Sequence, residues 1–234
     1  GVGKTTLARL VFTDPKIDSY FDISIWICVS SQFDAVRLTR EMLEATSGNR
    51  YDMFSNLNLL QKKLKDKLES KRFLLVLDDM WEDQDRIQWD IMVAPLNNFR
   101  VRGSIILVTT RNQSVAKMVV AREILYLHGL DEDTFLLFFN KCLFNDPNYE
   151  GNRRLRKIGH QIANKLKGNP LAAKTVCAML KEKHDERYWM KIRDSEEWKS
   201  QSGPNDIMPA LWLSYEHMPF PLQRCFLYCA FFPE

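Results

Sequence analysis

Residues capable of chemistry cluster at the very start of the chain, in Gly1-Val2-Gly3-Lys4-Thr5-Thr6. Gly3, Lys4 and Thr5 match the closing residues of the phosphate-loop pattern G-x-x-x-x-G-K-[ST], whose opening glycine would fall upstream of Gly1. Backbone N–H groups of a glycine turn that runs into a helix form a cradle for anionic oxygens. In that chemistry Lys4 reaches the β- and γ-phosphates and the Thr5 hydroxyl is a ligand to Mg²⁺. A bare G-K-T-T is weak alone and needs an acidic strand end elsewhere. Asp78 and Asp79 provide one, at the end of Arg72-Phe73-Leu74-Leu75-Val76-Leu77. Asp78 would hold Mg²⁺ directly or through water. Asp79 is the candidate to polarise an attacking water. The bland alternative is that the two carboxylates simply begin a turn. Arg111 follows a third apolar run, Ser104 to Thr109, and could read a third phosphate through its bidentate fork or be a surface arginine.

These groups need elements to position them. Thr6 to Phe12 reads as a helix that stops at Asp14-Pro15, and Ile23 to Val29 as a buried strand. Ser31 and Asp34 resemble a capping box opening a helix to about Ala45. Leu57, Leu60, Leu64 and Leu68 mark one face of the next helix, with Lys62, Lys63, Lys65, Asp66 and Lys67 mostly off it as a solvated face. The Arg72 to Asp79 run has the continuous apolar character of a strand buried on both sides of a parallel sheet. The third strand is entered through Gly103, a helix starts near Asn112, and Glu123 to Leu127 could be a last strand. Alternating strands and helices predict an α/β fold with a doubly wound parallel sheet.

Beyond His128 the pattern turns all-helical. Asp131 caps a helix from Glu132 to about Leu143, and Leu155, Ile158, Ile162 and Leu166 stripe the next, which closes at Gly168. Asn169 as N-cap and Pro170 at the first helical position open another, continued by Leu171, Thr175, Val176, Met179 and Leu180. Ser202 to Asn205 reads as a loop, with helices at Asp206 to Tyr215 and Leu222 to Phe231. This part is expected to pack a core of its own.

A chain of 234 residues with 45% hydrophobic and 27% charged residues has globular composition and room for one large or several small domains. A formal net charge of +3 with no dominant basic block argues against nucleic acid as the main partner. No apolar run is long enough to read as a membrane span. Cys28, Cys142, Cys177, Cys225 and Cys229 form neither a disulfide framework nor a zinc pattern, and Cys225 and Cys229 read as buried thiols in a reducing compartment. His128, His160, His184 and His217 are scattered and read as surface residues.

Taken together, these stretches resemble the NB-ARC domain of plant nucleotide-binding leucine-rich-repeat disease-resistance proteins, over nearly the whole chain. Gly1 to Ala8 is similar to the family's phosphate loop, and Phe21-Asp22 through Ser30 to its next strand block. Leu74-Leu75-Val76-Leu77-Asp78-Asp79-Met80-Trp81 is similar to its Walker B block, and Trp81 resembles the coiled-coil class, since the class with a TIR domain usually has Asp there. Gly103 to Arg111 resembles the sensor strand, Gly168-Asn169-Pro170-Leu171-Ala172 the G-L-P-L-A block, and Cys225 to Glu234 the block that follows. The order of these blocks makes the resemblance specific.

The resemblance implies a P-loop NTPase fold, with its first strand upstream of this chain, in residues 1–128. Helical subdomains of the ARC region would occupy 129–200 and, as a truncated start, 201–234. It implies a molecular switch in an intracellular immune receptor that rests with ADP and is activated by exchange for ATP, not a fast enzyme. A steadily turning-over P-loop ATPase is the alternative. By the same likeness Gly1, Val2, Gly3, Lys4, Thr5 and Thr6 contact phosphates, Arg111 senses the γ-phosphate, Pro170 packs against the adenine, and Leu171 is among the cofactor-binding residues. Its partners would be coiled-coil and leucine-rich-repeat domains outside the fragment, with oligomerisation on activation. Asn169 departs from the family's usual Leu, and the histidine-bearing motif that clamps ADP lies beyond Glu234. Lacking the strand expected at the sheet's centre, the 234 residues alone should be unstable and bind ADP poorly. Tight, Lys4-dependent ADP binding by this fragment in calorimetry would contradict that expectation.

Overall fold

A computed structural model describes residues 1–29, 33–51, 56–81, 86–96, 103–200 and 207–232. The chain forms two compact units, one of Lys4–Tyr126 and one of Leu127–Glu234 with Gly1–Gly3.

The first unit is built on three parallel strands, β1 (Ile23–Cys28), β2 (Phe73–Met80) and β3 (Ile105–Thr110), in the order β1-β2-β3. Ile25 pairs with Leu75, and Val76 with Leu107. Around them lie α1 (Lys4–Phe12), α2 (Pro15–Tyr20), α3 (Ala35–Ser47), α4 (Leu57–Leu68), α5 (Arg86–Val93) and α6 (Gln113–Met118). Side chains alternate across a strand, and β2 buries both sets. Leu74 and Val76 join Ala8 of α1 and Phe21. Phe73, Leu75 and Leu77 join Leu38 and Met42 of α3 and Leu60, Leu64 and Leu68 of α4. Helices therefore cover both faces, and the expected α/β fold with its doubly wound parallel sheet is present.

Several local expectations change in detail. α3 is capped by Asp34 itself, whose carboxylate accepts from Val36 N–H at 2.8 Å and Arg37 N–H at 3.2 Å. Ser31 lies outside the described residues. Asp14 caps α2 and Pro15 occupies its first turn, so Asp14-Pro15 ends one helix and starts another. α4 buries the leucines at 60, 64 and 68, and Lys62, Lys65, Asp66 and Lys67 are solvated. The Glu123 to Leu127 run is not a strand: Ile124, Leu125 and Tyr126 are exposed. A ladder needs a neighbour, and among the described residues no strand lies beyond β3 to pair with it.

The second unit contains α7 (Glu132–Phe144), α8 (Arg153–Lys165), α9 (Pro170–Glu182), α10 (Glu186–Arg193), α11 (Met208–Glu216) and α12 (Phe220–Cys229). Asp131, Asn152, Asn169 and Asp185 cap α7 to α10 with side-chain oxygens. The Thr134 N–H at the Asp131 cap holds that carboxyl below its usual range. Phe139, Ile162, Val176, Leu180, Trp189, Ile192 and Leu213 form the centre of one apolar core. The loop expected at Ser202 to Asn205 lies outside the described residues.

α7, α8, α9 and α11 form where helices were expected, α10 is a helix the sequence reading did not identify, and α12 buries no residue. Cys225 and Cys229 lie on it and are exposed, against the expectation that they are buried thiols, and Cys28 of β1 is exposed as well. Their apolar surroundings in sequence become burial only if another element covers the helix. Cys177 is the buried thiol, and burial pushes its pKa up. No helix among the described residues is long and apolar enough to cross a membrane.

His160 is likewise not the surface residue its sequence suggested. It is half-buried on α8, its buried Nε2 has no hydrogen-bond partner among the described residues, and burial followed by the nearby Arg156 charge holds its pKa down. His217 is also half-buried, with Nδ1 at 2.9 Å from the Leu213 carbonyl. The unfolded chain protonates His160 before the folded one does, so its contribution to stability is present above the ordinary histidine range and lost as pH falls through it. Urea midpoints measured between about pH 7.5 and 5 should decline for this unit, with a shallower slope in His160→Gln.

Candidate functional site

The loop residues follow local rules. Gly3 has φ of +99°, a left-handed conformation with open space around the position, so backbone freedom and not crowding selects glycine there. Lys4 is the first residue of α1 and Thr5 lies in its first turn, where helix N–H groups are unpaired within the helix. Thr6 is exposed.

The Thr5 hydroxyl donates to Asp78 Oδ1 at 3.0 Å, and the Thr109 hydroxyl donates to the same oxygen at 2.6 Å. Asp78 is only 5% exposed, so these donors stabilise a carboxylate largely withdrawn from water. β2 places it there because the strand continues beyond its apolar run, through Asp78 and Asp79 to Met80. The residue types suit Mg²⁺ bound with a nucleotide. That ion keeps several waters and phosphate oxygens, and needs one or two protein oxygens such as those converging on Asp78 Oδ1.

Asp79 differs from its neighbour in backbone conformation and in the partner of its carboxylate. Its φ is +56°, and the β2–β3 register shifts between Leu77 and Met80. The Asp79 N–H donates to Thr109 Oγ1 at 2.9 Å, and the Thr110 hydroxyl donates to the Met80 carbonyl at 2.7 Å. Two threonines of β3 thereby bond the bulged end of β2. The Asp79 carboxylate meets Arg111, with Nε at 3.3 Å from Oδ1 and Nη2 at 3.4 Å from Oδ2. The Arg111 guanidinium carbon also sits 4.6 Å from the centre of the Trp81 ring.

In the helical unit, the Leu171 N–H donates to the Gly1 carbonyl at 3.3 Å. A Cβ on Gly1 would come within 2.7 Å of Asn169 Oδ1, so a larger residue there would have to displace the Asn169 side chain. Asn169 is 3% exposed and caps α9 by accepting from Leu171 N–H at 3.1 Å and Ala172 N–H at 3.2 Å. Pro170 is half-buried in the first turn of α9, and Leu171 is exposed.

In the α/β unit Thr5 therefore meets Asp78 and Arg111 meets Asp79, the two pairs joined through Thr109, and Gly1 meets Asn169 and Leu171 in the helical unit. Thr109 was missed by motif reasoning although it touches both carboxylate residues. Its one signal was a hydroxyl residue ending an otherwise apolar strand.

Parallel strands that carry a buried carboxylate to a threonine in the first turn of the loop helix are the arrangement of P-loop NTPases, and the α/β unit is of that class. Residues 1–148 match the family model of the NB-ARC domain, and the chain belongs to this family. It is 40% identical over 235 residues to disease resistance protein RGA2 of Solanum bulbocastanum, matching all of this chain and 24% of that protein. It is 30% identical over 259 residues to disease resistance protein RPP8 of Arabidopsis thaliana, again along its whole length and over 26% of the relative. The chain spans about a quarter of the length of these relatives.

Thr109→Val should destabilise the α/β unit by about 1–3 kcal/mol, because it leaves a buried carboxylate short of a donor. Thr109→Ser should recover most of the loss in urea denaturation, since it restores the hydroxyl.

Proposed function

We propose that this chain is the nucleotide switch of an intracellular plant immune receptor, resting with ADP and activated by exchange for ATP. The observation that carries the reading is the meeting of Thr5 and Thr109 on Asp78 Oδ1, which joins the phosphate-loop helix to the acidic strand end. In this reading Gly1, Val2, Gly3, Lys4 and Thr6 hold phosphates, while Thr5 and Asp78 hold Mg²⁺. The ion would offset phosphate charge, and these residues would fix its place. Arg111 senses the third phosphate, Pro170 packs against the adenine, and Leu171 is a further nucleotide-binding residue. The organisation is a nucleotide-binding domain at 1–128 with helical subdomains at 129–200 and 201–234. Coiled-coil and leucine-rich-repeat domains of the longer protein act as its intramolecular partners, and activation leads to oligomerisation. The relatives' description as disease resistance proteins supports the immune role.

The alternative, a steadily turning-over ATPase with Asp79 as the water-polarising group, is less well supported. Asp79 is paired with Arg111 through both oxygens in this structure, so its carboxylate would accept a proton only after the guanidinium has left it. Slow hydrolysis that resets the switch is compatible with this pairing.

Full-length protein purified without added nucleotide should retain ADP, detected by chromatography after denaturation, and Lys4→Ala should lose it. Sustained turnover of roughly 1–10³ s⁻¹ would instead identify an ordinary enzyme.

A further inference from the structure

We propose that Trp81 is a positioning residue that seats Arg111 on Asp79, so that a third phosphate must take the guanidinium away from this seat. The proposal rests on the nucleotide reading above and adds an energetic gate to it. Asp79 and Trp81 are two residues apart at the end of β2, and both contact Arg111 at the end of β3. The carboxylate engages the fork through both oxygens, and the indole lies 4.6 Å from the guanidinium carbon.

Three features make this a seat that can be vacated. First, the N–O distances of 3.3 and 3.4 Å are longer than the roughly 2.7–2.9 Å of a tight charge-assisted bond, so the ion pair alone holds Arg111 loosely. Second, Arg111 is 59% exposed, and an ion pair this open contributes little against solvent and salt. The ring adds a second attraction, because the negative face of an indole favours a cation. Third, Trp81 is 48% exposed and, among the described residues, belongs to neither apolar core cluster of its unit.

Both contacts belong to the seated state. A phosphate that binds Arg111 in another state shifts the balance only by its differential affinity, and every contact that stabilises the seat opposes that shift. Weakening the seat should therefore favour ATP over ADP. An exposed cation–π contact corresponds to about a two- to fivefold change in an equilibrium constant.

The test measures dissociation constants of full-length protein for ADP and for a non-hydrolysable ATP analogue, and follows their ratio. Trp81→Ala should shift the ratio toward the analogue by about two- to fivefold, and Trp81→Phe, which keeps an aromatic face, should shift it less. Asp79→Asn should shift it in the same direction. With Arg111→Ala in the background, Trp81→Ala should have no further effect on the ratio. A ratio unmoved or reversed in Trp81→Ala, or a shift that persists without Arg111, overturns the seat while leaving nucleotide binding intact. Failure of the unmodified protein to bind either nucleotide overturns the nucleotide reading, and the seat with it.

Discussion

A carboxylate that is 5% exposed at the end of the most buried strand is the constraint on which the α/β unit depends. Withdrawing such a charge from water costs several kcal/mol unless donors replace the lost hydration. Asp78 finds them in Thr5 of α1 and Thr109 of β3, separated from it by 73 and 31 residues. The loop helix and the third strand must therefore both reach the end of β2 for the charge to be tolerated. Apolar packing supports the same arrangement, with Ala8 of α1 against Leu74 and Val76 on one face and the leucines of α3 and α4 on the other.

The bulge at the end of β2 separates two adjacent carboxylates into different environments. Continued regular pairing would keep Asp79 in an extended conformation. Its left-handed φ instead directs its N–H to the Thr109 side chain, and its carboxylate meets Arg111. Asp tolerates this conformation better than most residues. One carboxylate is consequently buried between hydroxyls and its neighbour pairs with an exposed cation. Their adjacency in sequence conceals this difference in chemistry.

The helical unit solves a related problem with different means. Its buried indoles sit where the ends of helices offer acceptors: Trp189 Nε1 donates to the carbonyls of Leu180 and Lys183, and Trp198 Nε1 to that of Ile192. Each bond satisfies both a buried donor and a carbonyl near a helix end. Gly168, at φ +75°, lets the chain turn between α8 and α9, and its carbonyl accepts from Leu130 N–H. α12 obeys no such logic within the described residues, since Phe226, Leu227 and Tyr228 all remain exposed on it.

Features governed by local physics were legible from the sequence. The left-handed turn at Gly3, the apolar run of β2, the leucine stripe of α4 and the Asn169-Pro170 helix start follow from short stretches of sequence, and each is present in the structure. The acidic pair at the strand end was also visible, as was Arg111 beyond the next strand. Tertiary structure alone decided that Thr109 supports both Asp78 and Asp79, that Arg111 lies on Trp81, and that Cys225 and Cys229 face outward. It also decided that Glu123 to Leu127 forms no strand. The reason is common to all of these. Spacing along the chain encodes helix faces and strand alternation, whereas a ladder, a buried charge or a covered helix requires a partner that only folding brings alongside.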